Sequence, residues 1–246
     1  MEPHKIETEQ ALEILINQTI KHNDNYQKAR FKVSEENLNK EMFNKFIIGY
    51  GTGILQNQFG NGIFVIDEMN RNVIDQLYFY ITSNELKFKG DIKKGILLCG
   101  KYGTGKSVLM KSYRYIVNWF YRSSFWDGTK PEATKPTFPG PISMWKSTEL
   151  LKKILKDGGE LDSIISGQNP ILIDDLGLEP VSANIFGTPI LPIVDLLLHR
   201  YDHGHLTFAT SNFNKTDLGE RYGCMIKDRL DSMFNFMVLY GESRRK

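Results

Sequence analysis

The chain predicts an α/β fold, a five-stranded parallel sheet with helices on both faces, and two observations carry that expectation. Short apolar runs alternate with helical stretches along most of the 246 residues, as they do when strands are buried on both faces and joined by crossover helices. Two of those runs also empty into residues suited to phosphate and metal chemistry. Gly95-Ile96-Leu97-Leu98-Cys99 leads into Gly100-Lys101-Tyr102-Gly103-Thr104-Gly105-Lys106-Ser107, and Ile171-Leu172-Ile173 leads into Asp174-Asp175. The ends of parallel strands are where α/β proteins bind their ligands.

The elements follow in order. Leu12, Leu15, Ile16, Thr19 and Ile20 recur at helical spacing between Glu7 and Asn23, after Thr8 as a candidate cap. A second helix follows Ser34, with Leu38, Met42, Phe43, Phe46 and Ile47 on one stripe. The run Gly49-Tyr50-Gly51-Thr52-Gly53 reads as its C-cap and a linker. Residues 1–58 are therefore expected to form a small helical module that binds a partner, and residues 59–246 the main domain.

Ile63 to Ile66 reads as extended, and Asn70 to Asn84 as a helix with Val73, Ile74, Leu77, Tyr78 and Ile81 inward. After the first core strand at 95–99 a helix runs to about Tyr121. Four prolines between 127 and 141 then exclude regular structure. Ile142 to Trp145 is the second strand, Thr148 to Lys156 a helix, and 171–173 the third strand. A helix from Ile190 to Tyr201, a strand from Leu206 to Thr210, a helix from about Asp217 to Asp231 and a strand from Phe236 to Tyr240 complete the pattern.

Composition narrows the function classes. A formal charge of +2 and a pI near 8.3 exclude a polycation, so contact with nucleic acid requires a local patch. Cys99 and Cys224 are isolated thiols without metal-ligand spacing and read as reduced packing residues. No apolar stretch approaches the ~20 residues that span a bilayer, and the opening Met1-Glu2-Pro3-His4-Lys5 lacks a secretory apolar core. A cytoplasmic protein without membrane contact is expected.

The glycine-rich turn lies between a buried strand and a helix start, so its backbone N–H groups and the helix dipole converge on one point, as a polyphosphate needs. Gly100, Tyr102, Gly103, Thr104, Gly105, Lys106, Ser107 and Val108 are the nucleotide-binding candidates. Lys106 is expected as a solvent-facing loop residue reaching the β- and γ-phosphates, with the Ser107 hydroxyl on Mg²⁺. The competing reading, a glycine-rich turn that carries Lys-Ser by chance, has the strand and helix on either side against it. Asp174 is the second metal candidate and Asp175 the candidate general base, with a shorter arm than Glu; Glu179 is the next carboxylate in line for that role. A merely solvated strand end is the alternative. Asn212 closes the strand Thr207-Phe208-Ala209-Thr210-Ser211, near the expected γ-phosphate. Arg221 and Arg229, eight apart on one predicted helix, are either solubilising residues or donors to a transferred phosphoryl group.

These motifs, with His199-Arg200-Tyr201, Arg221-Tyr222-Gly223, Asp228-Arg229-Leu230 and Gly241-Glu242-Ser243-Arg244-Arg245, resemble the DnaC/DnaI helicase loaders and the related IstB transposition ATPases of the AAA+ class over about residues 60–246. The resemblance implies a P-loop AAA+ fold, ATP with Mg²⁺, ATP hydrolysis and a helical or ring homo-oligomer formed with ATP. It also implies Asn212 as the nucleotide sensor and Arg229 as an arginine acting in trans, with Arg221 in support. A hexameric, DnaB-like replicative helicase and single-stranded DNA are the implied partners. The proline-rich 127–141 segment and Gly187-Thr188-Pro189 look like insertions, and no Cys/His cluster marks a zinc module near the start. Only 34 residues follow Asn212, so a C-terminal helical lid is not expected.

Helicase loading and IstB-like recruitment of a recombinase to DNA both remain open, beside a non-catalytic nucleotide switch. A monomeric small-molecule kinase leaves Arg221 and Arg229 unexplained. For DNA, Trp145, Lys146, Lys152, Lys153 and Lys156 support two readings, a channel-lining patch or an ordinary core tryptophan beside a solvated helix face.

Overall fold

The computed structural model describes residues 31–126, 140–156, 167–185 and 187–244. The expected helix at 7–23 and most of the proline-rich segment lie outside them. The elements are α1 (Lys40–Phe59), α2 (Glu68–Ile81), β1 (Gly95–Cys99), α3 (Lys106–Trp126), β2 (Ser143–Lys146), α4 (Ser147–Lys156), β3 (Ile171–Asp174), β4 (Ala183–Ile185), β5 (Thr188–Ile190), α5 (Pro192–Asp202), β6 (Thr207–Ser211), α6 (Lys215–Tyr222), α7 (Cys224–Met233) and β7 (Phe234–Val238).

Five strands form one parallel sheet in the order β2-β3-β6-β1-β7. The three central strands are buried throughout, which is why β1 and residues 171–173 of β3 read as continuous apolar runs rather than alternating ones, while β6 also buries three hydroxyls. Two apolar clusters cover the faces. Ile96, Leu98, Phe208, Tyr113, Ile74 and Leu77 meet on one side, and Leu97, Ile173, Ala209, Leu150, Leu196 and Leu230 on the other. β4 and β5 form a separate antiparallel hairpin, with Thr188 and Pro189 of the stretch read as an insertion in β5.

Three sequence expectations change. α1 continues through Gly49–Gly53 and stops only at Gly60, whose left-handed backbone (φ 75°) donates to the Gln56 carbonyl. The glycines serve close packing rather than a turn, since a Cβ on Gly51 would fall 2.6 Å from the Phe64 ring. Second, Phe31, Val33, Leu38, Phe43 and Ile47 belong to the same core as Ile96 and Phe208, so packing does not break at residue 58. Third, the single helix expected over 217–231 is two helices, separated at Gly223 with φ 92°. A side chain there would be strained, so the break is written in the residue type.

Candidate functional site

The chain leaves β1 through Gly100, whose N–H donates to the Ser211 carbonyl, and turns into α3. Gly100 requires glycine twice over: its φ is 154°, and a Cβ would meet the Leu239 carbonyl oxygen at 2.3 Å. Thr104 is buried and its hydroxyl donates to the Lys101 carbonyl, closing the turn.

Lys106 is not the solvent-facing loop residue expected. It is the first residue of α3, is 4% exposed, and its ammonium donates to the Gly100 and Lys101 carbonyls at 2.7 and 2.8 Å and to Asn212 Oδ1 at 2.7 Å. Its long arm folds back into the loop because those carbonyls, turned inward by the glycines, offer partners for a desolvated ammonium. β6 lies beside β1 in the sheet, which is how Asn212, more than a hundred residues away in sequence, reaches this amine. The Asn212 Nδ2 is buried without a hydrogen-bond partner, a donor left for a further acceptor.

The two carboxylates lie one strand further along. Asp174 is 1% exposed. Its Oδ1 accepts the Thr210 hydroxyl at 2.6 Å and its Oδ2 faces Lys111 Nζ at 3.8 Å. Thr210 Oγ1 in turn accepts the Asp175 N–H at 2.9 Å, and the Asp175 carbonyl accepts the Ser147 hydroxyl. Asp175 leaves the strand with φ 60°, a left-handed conformation that Asp tolerates better than most residues and that is held here by both neighbours. Burial and then the adjacent Asp174 charge raise the Asp175 carboxyl above its ordinary value, against the pull of Lys106, Lys146 and Lys111.

Glu179 does not meet these groups. It is fully buried, and its oxygens accept the Gly177 N–H and the Tyr222 hydroxyl. Arg221 donates to the Glu179 carbonyl and lies over the Phe213 ring at 5.7 Å. Arg229 lies across Tyr201 at 5.8 Å, on the separate helix α7. The structure thus brings together the loop, Lys106, Asn212, Asp174 and Asp175, and leaves Arg221 and Arg229 on separate helices. Trp145 is partly buried against the core, with Lys153 above its ring.

Thr210, Ser147 and Lys111 were not singled out in the sequence. Hydroxyls inside a strand expected to be buried were the available signal for Thr210, because such groups need partners. Lys111 lies one helical turn after Ser107, hence on the same helix face.

The residues present fit a nucleotide and a divalent cation. Cradling glycines, an inward amine and an orphaned amide donor suit phosphate oxygens, while a serine hydroxyl and a carboxylate are the hard oxygen ligands that Mg²⁺ takes. Strand order and loop placement define a P-loop AAA+ α/β fold. No family model and no curated protein matches the sequence. Among solved structures, a candidate primosome component of Streptococcus pyogenes serotype M3 is similar with a TM-score of 0.50 and 16% identity, covering 74% of this chain and 85% of that one. The DnaC helicase loader is similar with a TM-score of 0.49 and 16% identity, over 72% and 93%. DnaI is similar with a TM-score of 0.46 and 20% identity, over 74% and 87%. The first of these similarities shows the fold alone, in agreement with the strand order.

Proposed function

We propose that the protein is an ATP-hydrolysing replication factor that binds a hexameric replicative helicase and loads it onto single-stranded DNA, assembling with copies of itself when ATP is bound. The observation that carries the ATPase reading is the junction of Lys106 with Asn212 beside the Thr210-bridged pair Asp174 and Asp175. The helicase role is supported by motif order and by the likeness in fold to a primosome component. IstB-like recruitment of a recombinase is the alternative outcome of the partner test below.

In this reading the loop N–H groups and Lys106 hold the β- and γ-phosphates, and Lys106 exchanges a carbonyl partner for phosphate oxygen. Asn212 Nδ2 donates to the γ-phosphate or the attacking water, so the strand end senses which nucleotide is present. Asp175 orients that water and accepts its proton; its raised pKa makes it a stronger base than an ordinary aspartate. Ser107 and Asp174 would hold Mg²⁺, which when bound neutralises phosphate charge. Arg229 of one subunit would face a neighbour's nucleotide, with Arg221 bracing the loop behind it.

Two variants test the chemistry and one capture experiment tests the partner. Lys106→Ala should lose ATP binding while keeping its circular dichroism, and normal affinity would remove the site assignment. Asp175→Asn should bind ATP yet hydrolyse it about 10² to 10⁴ times more slowly. Capture on the ATP-bound protein should retain a DnaB-like helicase; retention of a recombinase instead would favour the transposition reading.

A further inference from the structure

We propose that Lys111 is a resident cation at the metal carboxylate that sets how much Mg²⁺ the nucleotide site requires. The proposal rests on the nucleotide-site reading above and extends it to a residue with no part in that reading.

Asp174 has two oxygens, and the structure assigns them differently. Oδ1 is taken by the Thr210 hydroxyl at 2.6 Å, which leaves Oδ2 as the oxygen open to a cation, and Oδ2 is the one that Lys111 faces at 3.8 Å. The pair is enclosed, with the Lys111 side chain 19% exposed and that of Asp174 2%, so salt and water screen it far less than a surface pair. Ser107, the other oxygen ligand, lies one turn before Lys111 on α3, which puts the ammonium on the side where the metal would sit. A cation entering there must displace Lys111 from Oδ2 or share the oxygen with it, and either route weakens its binding.

The test titrates Mg²⁺ against binding of a fluorescent ATP analogue by the full chain, and counts bound Mn²⁺ by electron paramagnetic resonance. Lys111→Met keeps the length and helix propensity of the side chain without its charge, and should lower the Mg²⁺ midpoint about threefold or more, the scale of removing one partly screened ion pair. Lys111→Arg should keep the wild-type midpoint. Affinity for the analogue in EDTA should be the same in wild type and Lys111→Met. A midpoint that Lys111→Met leaves unchanged overturns the proposal, as does a fall in EDTA affinity, which would make Lys111 a phosphate ligand. Asp174→Asn separates the two levels. If it raises the midpoint while Lys111→Met does nothing, only the proposal fails; if it too leaves the midpoint unchanged, the metal-site reading fails with it.

Discussion

Glu179 and Tyr222 share a buried hydrogen bond that joins the loop after β3 to the end of α6. The carboxylate also takes the Gly177 N–H, and the Glu179 carbonyl takes Arg221. One residue thus ties the segment that follows Asp175 to the helix that ends at Gly223. Burial, and then the Glu179 charge and hydrogen bond, raise the Tyr222 hydroxyl well above its ordinary value, so it stays a donor at any working pH.

Tyr222→Phe should cost about 1 to 3 kcal/mol, because it strands a buried carboxylate oxygen. For a chain of this size that lowers Tm by roughly 2 to 4 °C for each kcal/mol. Calorimetry on Tyr222→Phe and Glu179→Gln decides it. If Tyr222→Phe melts with wild type, the bond carries no stability.

Much of the sheet was legible in the sequence, because buried parallel strands such as 95–99 and 171–174 have no polar face to blur them. The loop was legible for a similar reason, since its glycines and Lys-Ser pair follow a strand directly. Residues acting across the chain were not. Lys106 bonding Asn212, or Thr210 bridging Asp174 and Asp175, depends on which strands are neighbours, and no local pattern records that β6 lies between β1 and β3. Gly51 misled for a related reason: a glycine needed for contact with Phe64 looks in sequence like one needed for a turn.

Arg229→Ala should bind ATP normally and lose hydrolysis, since trans arginines contribute about 10³ to 10⁵ in rate. Mixing it with Lys106→Ala should restore activity at interfaces where an intact Arg229 meets an intact loop. Steady-state ATPase assays over a range of mixing ratios check this. No recovery at any ratio, with a monomer that turns over well alone, would place the arginine elsewhere.

The Arg244 guanidinium grips Asp67 at 2.7 and 2.9 Å, while the Arg244 N–H donates to the Gly103 carbonyl, so residues 239–244 strap the phosphate loop to the start of α2. The hydrogen bond from Arg244 lowers the Asp67 carboxyl below its usual range. A carboxyl that is a stronger acid when folded adds stability above the unfolded-chain value of about 3.9 and loses it as pH falls through the folded value. The Tm gap between wild type and Arg244→Ala should therefore hold steady from neutral pH down to about 5 and shrink below that. A gap that does not change with pH would mean that the strap is held by its backbone contacts alone.

Single-stranded DNA binding is the last expectation, and the structure changes which lysines should carry it. Lys153 lies over the partly buried Trp145 ring, so that pair is spoken for by packing, while Lys146, Lys152 and Lys156 are exposed along the edge strand β2 and the helix after it. Each phosphate contact adds about 0.7 to the downward log–log salt slope for a single strand. Replacing Lys146, Lys152 and Lys156 together with Ala should flatten the slope measured with ATP by up to about 2, leaving ATP affinity as it was. Trp145→Phe should change DNA affinity little, because the ring is partly buried against the core and has Lys153 over it. An unchanged slope in the triple variant would return these lysines to an ordinary solvated face, and a large loss in Trp145→Phe would mean that the ring opens to bind a base.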